Sequence, residues 1–172
     1  TLRDGTQSED VNFTVIDKLR IAERLIEFGI DCIEGGWPGS NPRDMDFFNV
    51  LKKNKSIDIN KISAFGSTRR AKKICENDEI IQALLEANVP NITIFGKTWD
   101  LHVREALKIS LDENIEIIHD TVRYLKEKVD KVYYDAEHFF DGYNANPEYA
   151  LKTLLAARDA GADCVILCET NG

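Results

Sequence analysis

Short apolar runs alternate along this chain with longer segments in which apolar residues recur every three to four positions. The short runs have the length and composition of β-strands and end at glycine or polar turn residues. The longer segments have the periodicity of amphipathic helices. The predicted strands cover residues 32–35, 61–65, 91–95, 131–135 and 164–168, and residues 1–4 are expected to be the end of one more.

Several of the predicted helices begin at recognisable capping residues. Thr14 precedes an apolar stripe of helical spacing, and Ser110 stands three residues before Glu113 in a capping-box pattern. Asn41 and Asn146 each precede a proline, a residue that favours the first helical position. These signals predict a helix after most of the predicted strands.

Strict alternation of strand and helix predicts an α/β protein with a parallel sheet and crossover helices outside it. The alternation alone permits either a doubly wound open sheet or a closed (β/α)8 barrel, which needs about eight strands and about 250 residues. The chain has 172 residues, 43% of them hydrophobic, which is enough for a sizeable core. No linker or composition break predicts a second domain.

Charge and hydropathy exclude several kinds of partner. A net charge of -8 without a continuous basic face argues against nucleic-acid binding. The sequence has no long apolar run and no basic-then-apolar leader, so we expect neither a membrane span nor a secretory peptide. One small basic cluster is expected to be the solvated first turn of a helix, with an anion site as the alternative. It comprises Arg69, Arg70, Lys72 and Lys73.

The cysteines indicate a reducing compartment. The chain has four of them, none in a Cys-x-x-Cys pair, at positions Cys32, Cys75, Cys164 and Cys168. Reduced core thiols in a cytoplasmic protein are therefore expected, rather than disulfides or a zinc site.

The first seven residues carry the strongest chemical signal. Arg3 and Asp4 follow an apolar residue, and Gly5 allows the chain to turn sharply. Asp4 can hold a hard divalent ion, and Arg3 can neutralise charge that develops on an oxygen nearby. This combination suits metal-assisted carbonyl chemistry, although an isolated Arg-Asp-Gly sequence is also compatible with a surface ion pair.

A longer pattern around these residues resembles a known enzyme family. Residues 2–5 (Leu-Arg-Asp-Gly), Gln7 and Lys18 resemble the first signature of the isopropylmalate, homocitrate and citramalate synthases, which are relatives of the hydroxymethylglutaryl-CoA lyases. Thr6 stands where isopropylmalate synthases usually carry glutamate. Segments over nearly the whole chain look more similar to the citramalate type than to the isopropylmalate type.

The resemblance implies that residues 1–172 are part of a catalytic (β/α)8 TIM barrel. The chain begins without an initiator methionine and stops directly after a predicted strand, so it is interpreted as an incomplete segment that covers about strands 1–6. Strands 7–8 and the C-terminal regulatory domain of the family are expected to lie outside it. In such a barrel, residues at the carboxyl ends of the strands converge on one mouth.

Three acids and a hydroxyl are expected at that mouth. Glu34 is a carboxylate among apolar neighbours and needs a cationic partner, for which Arg3 is the natural candidate. A purely structural ion pair is the alternative. Asp135 and Glu137 share one side of an extended strand. Glu137 matches an acid in the substrate pocket of the synthases, and a solvent-exposed loop acid is its alternative. Thr170 matches a threonine that binds the keto-acid carboxylate.

The resemblance assigns each residue a role. The catalytic residues are Arg3, Glu34 and Glu137, the substrate-binding residues are Gln7, Asp135 and Thr170, and the metal ligand is Asp4. The cofactor is a divalent ion (zinc, manganese or magnesium), and acetyl-CoA is the co-substrate. The family completes its metal site with a His-x-His pair on strand seven. The segment by itself is therefore expected to have no useful turnover.

The implied reaction joins acetyl-CoA to pyruvate and hydrolyses the thioester, which yields (R)-citramalate and CoA for isoleucine biosynthesis. Two alternatives remain. One is an enzyme of the same fold that accepts 2-oxoisovalerate, as a 2-isopropylmalate synthase does, or another 2-oxo acid. The other is a non-catalytic barrel that serves as a binding module. A further hypothesis is that the aromatic ring of Phe95 or Trp37 fills part of the pocket and excludes oxo acids bulkier than pyruvate. A homodimer is expected for the full-length protein.

Overall fold

The computed structural model describes residues 2–171. The strands are β1 (Ile33–Gly36), β2 (Ile62–Ser67), β3 (Asn91–Lys97), β4 (Lys131–Glu137) and β5 (Cys164–Leu167). The α-helices are α1 (Val15–Glu27), α2 (Pro42–Leu51), α3 (Glu79–Glu86), α4 (Asp100–His102), α5 (Leu111–Lys126), α6 (Phe139–Ala145) and α7 (Pro147–Asp159). Helix α4 continues into a π-helical segment (Val103–Leu107), and short 3-10 helices cover Asp4–Gln7, Ile59–Lys61 and Cys75–Asn77.

The strands form one sheet in the order β1-β2-β3-β4-β5. Strand β1 pairs with β2 and β4 pairs with β5, both in parallel, and at least one helix follows each of the first four strands. Glu34 lies opposite Ser63, and the register of the β1–β2 pairing shifts between Glu34 and Gly36. The predicted α/β fold with a parallel sheet is confirmed.

The strand end expected at residues 1–4 is wrong for its described part. Thr1 lies outside the described residues, Arg3 lies in a bend, and Asp4–Gln7 form a 3-10 helix. The hydroxyl of Thr6 donates a hydrogen bond to the Arg3 carbonyl at 2.6 Å, and the Thr6 amide donates to the same oxygen at 3.2 Å. These two bonds close a turn where the apolar Leu2 suggested a strand.

The predicted helix starts are present. The Thr14 hydroxyl accepts from the Asp17 amide, and the Asp17 carboxylate accepts from the Thr14 amide, which together form a full capping box. The Ser110 hydroxyl accepts from the Glu113 amide. Asn41 and Asn146 cap helices α2 and α7, each directly before a proline at the start of the helix.

The chain divides into two compact units. The first consists of residues 1–66 and 79–93, and the second of residues 67–78 and 94–172, so that β3 contributes residues to both. The core of the first unit includes Leu2, Phe47, Phe48, Leu51, Ile62, Ile81 and Leu84. The core of the second unit includes Ile94, Ile117, Ile118, Val122, Leu125, Val132 and Tyr134. Within residues 2–171, no helix has the length and hydropathy required to cross a membrane.

The expected location of the basic cluster in a helix is wrong. Its residues lie in the irregular segment between β2 and the 3-10 helix Cys75–Asn77. Arg69 pairs with Asp120 at 2.8 Å, and Arg70 pairs with the fully buried Asp78 at 3.2 Å. Ion pairs with residues outside the cluster therefore decide the position of these two arginines, and the helical pattern does not.

The expectation of core cysteines holds only in part. Cys75 is buried, but Cys32 and Cys164 are exposed because they lie just outside or at the first position of their strands. No disulfide joins any of the four cysteines in the described part of the chain.

Candidate active site

An ion pair in the first unit orients Arg3. Its Nε donates to Oε2 of Glu34 at 2.8 Å, and its Nη2 lies 2.7 Å from the same oxygen. The guanidinium carbon lies 3.8 Å from the ring centroid of Phe65, which is a cation–π distance. The Arg3 and Glu34 side chains are 17% and 25% exposed, so both remain within reach of a ligand. The ion pair expected between these two residues is present.

Asp4 lies beside this pair, at the start of the short 3-10 helix. The Nη1 atom of Arg3 donates to Oδ1 of Asp4 at 3.1 Å, and the Asp4 side chain is 77% exposed. Gln7 ends the same helix and is also exposed. One arginine therefore contacts two carboxylates, one held on a strand and the other open to solvent.

A buried lysine supports the segment that follows Glu34. Nζ of Lys18 lies 2.5 Å from Oδ1 of Asp44 and 3.2 Å from the Gly35 carbonyl oxygen. The other Asp44 oxygen accepts from the Trp37 amide at 2.7 Å. A Cβ added to Gly36 would lie 2.5 Å from the Asp44 carboxyl carbon, so this close approach requires glycine. Residues 35–37 are thereby held to helices α1 and α2.

A second ion pair lies at the carboxyl ends of two strands in the second unit. Nζ of Lys97, the last residue of β3, pairs with Oε2 of Glu137, the last residue of β4. Both side chains are about one-quarter exposed. A cavity of about 330 Å³ opens beside Lys97, and its lining includes Thr68, Phe95 and Leu107. The acid predicted in the substrate pocket therefore has a cationic partner that sequence analysis did not name.

Asp135 and Thr170 occupy different environments. Asp135 is buried in β4, where only 8% of the residue is accessible. Thr170 is exposed, and its Oγ1 accepts a hydrogen bond from the His138 amide at 3.1 Å. Because the oxygen is the acceptor in this bond, the hydroxyl proton remains available to a ligand.

Two histidines meet next to Glu137. The ring centroids of His102 and His138 are 4.7 Å apart with the rings nearly perpendicular, and the Trp99 ring lies 4.7 Å from that of His102. Nδ1 of His138 lies 2.9 Å from Oδ2 of Asp141. Burial and the positive charge of His138 and Lys97 lower the pKa of His102 from its usual value. His102 is therefore neutral at neutral pH.

The predicted site residues thus form two clusters. Arg3, Asp4 and Glu34 are in contact in the first unit, whereas Glu137 pairs with Lys97, and Thr170 with His138, in the second. Sequence analysis missed Lys97 and the proximity of His102 and His138. The sequence did contain a signal for Lys97, which ends a strand as Glu137 does. The carboxyl ends of successive parallel strands lie at the same edge of the sheet. No local signal pairs the histidines, which are separated by 35 intervening residues along the chain.

Among the described residues, the Asp4 carboxylate has the chemistry of a ligand of a divalent ion. The Asp4 carboxylate is a hard oxygen donor, and it is open to solvent. Within residues 2–171, no group of three or more histidine, cysteine, aspartate or glutamate side chains is placed to hold a metal ion. Among the described residues, Asp4 is therefore an accessible candidate ligand, and no complete metal site is formed.

Sequence comparison supports the resemblance to the citramalate synthases. The chain is 62% identical over all its 172 residues to an (R)-citramalate synthase of Geobacter sulfurreducens, of which it covers 32%. It is 34% identical to a 2-isopropylmalate synthase of Sulfolobus acidocaldarius, of which it covers 42%. The chain spans about a third of the length of the citramalate synthases that it matches. The predicted closer likeness to the citramalate type is confirmed.

Structural comparison shows the fold. A hydroxymethylglutaryl-CoA lyase from Pseudomonas aeruginosa superposes with a TM-score of 0.70 at 19% identity, over 99% of this chain and 56% of the lyase chain. The chain therefore has the α/β fold of a (β/α)8 barrel segment, as predicted.

The family model described as HMGL-like matches residues 1–172, the whole chain. Together with the sequence and fold comparisons, this match shows that the chain belongs to the HMGL-like family.

Proposed function

We propose that this protein is a citramalate-type condensing enzyme. It joins acetyl-CoA to pyruvate and hydrolyses the thioester to release (R)-citramalate and CoA, a reaction that serves isoleucine biosynthesis. The main structural support is Arg3, held by Glu34 and packed over Phe65 with the open carboxylate of Asp4 beside it. The identity of 62% to a relative described as an (R)-citramalate synthase favours pyruvate as the acceptor.

Arg3 stabilises the alkoxide that forms when the acetyl carbon attacks the ketone. Glu34 and Phe65 fix the guanidinium before the substrate arrives, so little reorganisation is needed during the reaction. The Arg3–Glu34 pair uses Nε and Nη2, while Nη1 faces Asp4. Glu34 acts here as the residue that aims Arg3.

Asp4 supplies one carboxylate ligand of a divalent ion, with zinc, manganese and magnesium as the candidates. When bound, such an ion supplies Lewis-acid polarisation of the ketone oxygen. The further ligands in this proposal are the histidines that the family carries on strand seven. We also propose that residues 1–172 form part of the catalytic domain.

Residues of the second unit bind and orient the substrates. The free hydroxyl proton of Thr170 donates to the carboxylate of the oxo acid. Lys97 holds the Glu137 carboxylate in one orientation, in which it positions water or handles a proton. Gln7 and Asp135 are proposed as further substrate contacts. The full-length protein is proposed to be a cytoplasmic homodimer, and the cysteines without a disulfide are compatible with that compartment.

The test is a comparison of oxo acids with the full-length protein. CoA release is measured with acetyl-CoA and, in parallel, pyruvate, 2-oxobutyrate and 2-oxoisovalerate. The expected result is a kcat/KM for pyruvate about 10-fold or more above that for 2-oxoisovalerate, because a pocket shaped for a methyl group excludes an isopropyl group. Equal or faster use of 2-oxoisovalerate would instead support a 2-isopropylmalate synthase. No release with any of the acids would favour a binding module.

A further inference from the structure

His102 and His138 form a close pair to which the proposed function assigns no role. His138 directly follows Glu137, and His102 ends the short helix that follows β3. The two histidines therefore stand just beyond the carboxyl ends of β3 and β4. Substrate sites of parallel α/β proteins are built at this edge of the sheet.

Asp141 orients the ring of His138. Its Oδ2 lies 2.9 Å from Nδ1 of His138 and also accepts from Nδ2 of Asn171 at 2.7 Å. A carboxylate beside Nδ1 holds the proton on that nitrogen, so Nε2 carries the lone pair. An imidazole held in this way by a carboxylate has the arrangement of a general base.

The backbone fixes His138 from the other side. Its φ of 53° lies in the left-handed region, where non-glycine residues are uncommon although histidine is enriched. The Thr170 hydroxyl accepts from its amide, so the unusual conformation is held by a side chain already proposed to bind substrate. The His138 side chain is 15% exposed, which leaves part of the ring accessible to a ligand.

The second histidine of the pair carries no positive charge at neutral pH. His102 faces His138, Lys97, Glu137 and Asp141, and it is neutral at neutral pH. Its T-shaped contact with His138 therefore places no second positive charge beside a protonated His138.

We propose that His138 is the general base of the condensation, with Asp141 as its positioning residue; this inference rests on the proposed function. Nε2 of His138 takes a proton from the methyl carbon of the acetyl thioester. The electron pair of that C–H bond forms the new C–C bond to the ketone carbon, and the carbonyl π electrons become the alkoxide. The protonated His138 then returns its proton to the alkoxide. The condensation step therefore causes no net uptake or release of protons.

The experiment compares His138→Gln and Asp141→Asn with wild type in the full-length protein. His138→Gln is expected to lower kcat about 100-fold or more, the usual contribution of a general base, with the KM for pyruvate changed less than about threefold. It is also expected to slow deuterium incorporation into the methyl group of acetyl-CoA in D2O. His119→Gln is the control, because His119 lies on α5 near Asp120, and it is expected to keep wild-type kinetics.

A pH profile separates catalysis from a structural role. Wild-type kcat/KM is expected to fall toward acid pH, and His138→Gln is expected to lose this acid limb. Asp141→Asn retains the ring but removes the carboxylate that orients it, so kcat is expected to fall about 10-fold and deuterium incorporation to slow. Circular dichroism confirms folding, and if His138→Gln does not fold, Asp141→Asn provides the test.

The outcomes distinguish the inference from the proposed function. An active wild-type protein whose His138→Gln variant keeps both its turnover and its acid limb contradicts the inference alone. Unchanged kcat and unchanged deuterium incorporation in Asp141→Asn contradict the positioning role. A wild-type protein that releases no CoA with any oxo acid contradicts the proposed function, and with it the inference.

Discussion

Nη2 of Arg3 lies 2.7 Å from Oε2 of Glu34, and this contact joins the chain before the first 3-10 helix to strand β1. The two residues are separated by 31 positions in sequence, so their contact depends on the folding of the first unit. The guanidinium reaches Glu34 through two nitrogens, which a lysine cannot reproduce.

Arg3→Lys is expected to lower kcat by about 10²–10³-fold, because the variant keeps the positive charge but loses the fork that aims it at the developing alkoxide. Steady-state CoA release by the full-length protein measures the effect. Arg24→Lys is the control: its side chain is 82% exposed and pairs only across one turn of α1 with Glu27. An Arg3→Lys variant within about threefold of the control would argue against the proposed role of Arg3.

Asp44→Ala is expected to lower the free energy of unfolding by about 3–5 kcal/mol, because it leaves the charge of Lys18 buried without its carboxylate. Urea unfolding of the full-length protein measures this change. The double variant Lys18→Met/Asp44→Leu is expected to be more stable than Asp44→Ala, since it removes both charges. Lys152→Ala is the control, and the loss of its exposed pair with Glu148 is expected to cost less than about 1 kcal/mol.

Gly96→Ala is expected to destabilise the protein by about 1–3 kcal/mol through overpacking. A Cβ at this position would lie 2.7 Å from Oη and 2.8 Å from Cε2 of Tyr134, a side chain that is fully buried. Gly39→Ala is the matched control, since its nearest contact would be 3.5 Å from the Cα of Ile80. Thermal unfolding of both variants compares the two sites, and equal melting temperatures would contradict the predicted clash.

Cys75 is expected to react with iodoacetamide much more slowly than Cys32. Burial raises the pKa of the Cys75 thiol to about 11, so near pH 8 almost none of it is the reactive thiolate. Its reactivity should therefore rise as the pH approaches 11, whereas Cys32 is already exposed to the reagent. Mass spectrometry of the alkylated peptides measures both rates. Equal labelling of the two cysteines near pH 8 in the folded protein would contradict this prediction.

Most of the local structure could be predicted from the sequence. Thr14, Asn41 and Asn146 cap their helices as expected, because a cap needs only bonds to residues two or three positions away. The strand end expected at residues 2–4 was wrong, because local hydrogen bonds form a turn there. The Thr6 hydroxyl and amide bind the Arg3 carbonyl and form a local turn that the apolar Leu2 did not indicate.

The sequence by itself determined the alternation of strands and helices, since periodicity and turn residues act over a few positions, and it indicated candidate site residues. The resemblance in residues 2–5, at Gln7 and at Lys18 indicated the family. Only the tertiary structure decided which side chains meet: Lys18 with Asp44, Lys97 with Glu137, and His102 with His138. These partners are far apart in sequence, and their proximity depends on how strands and helices pack, which no local pattern specifies.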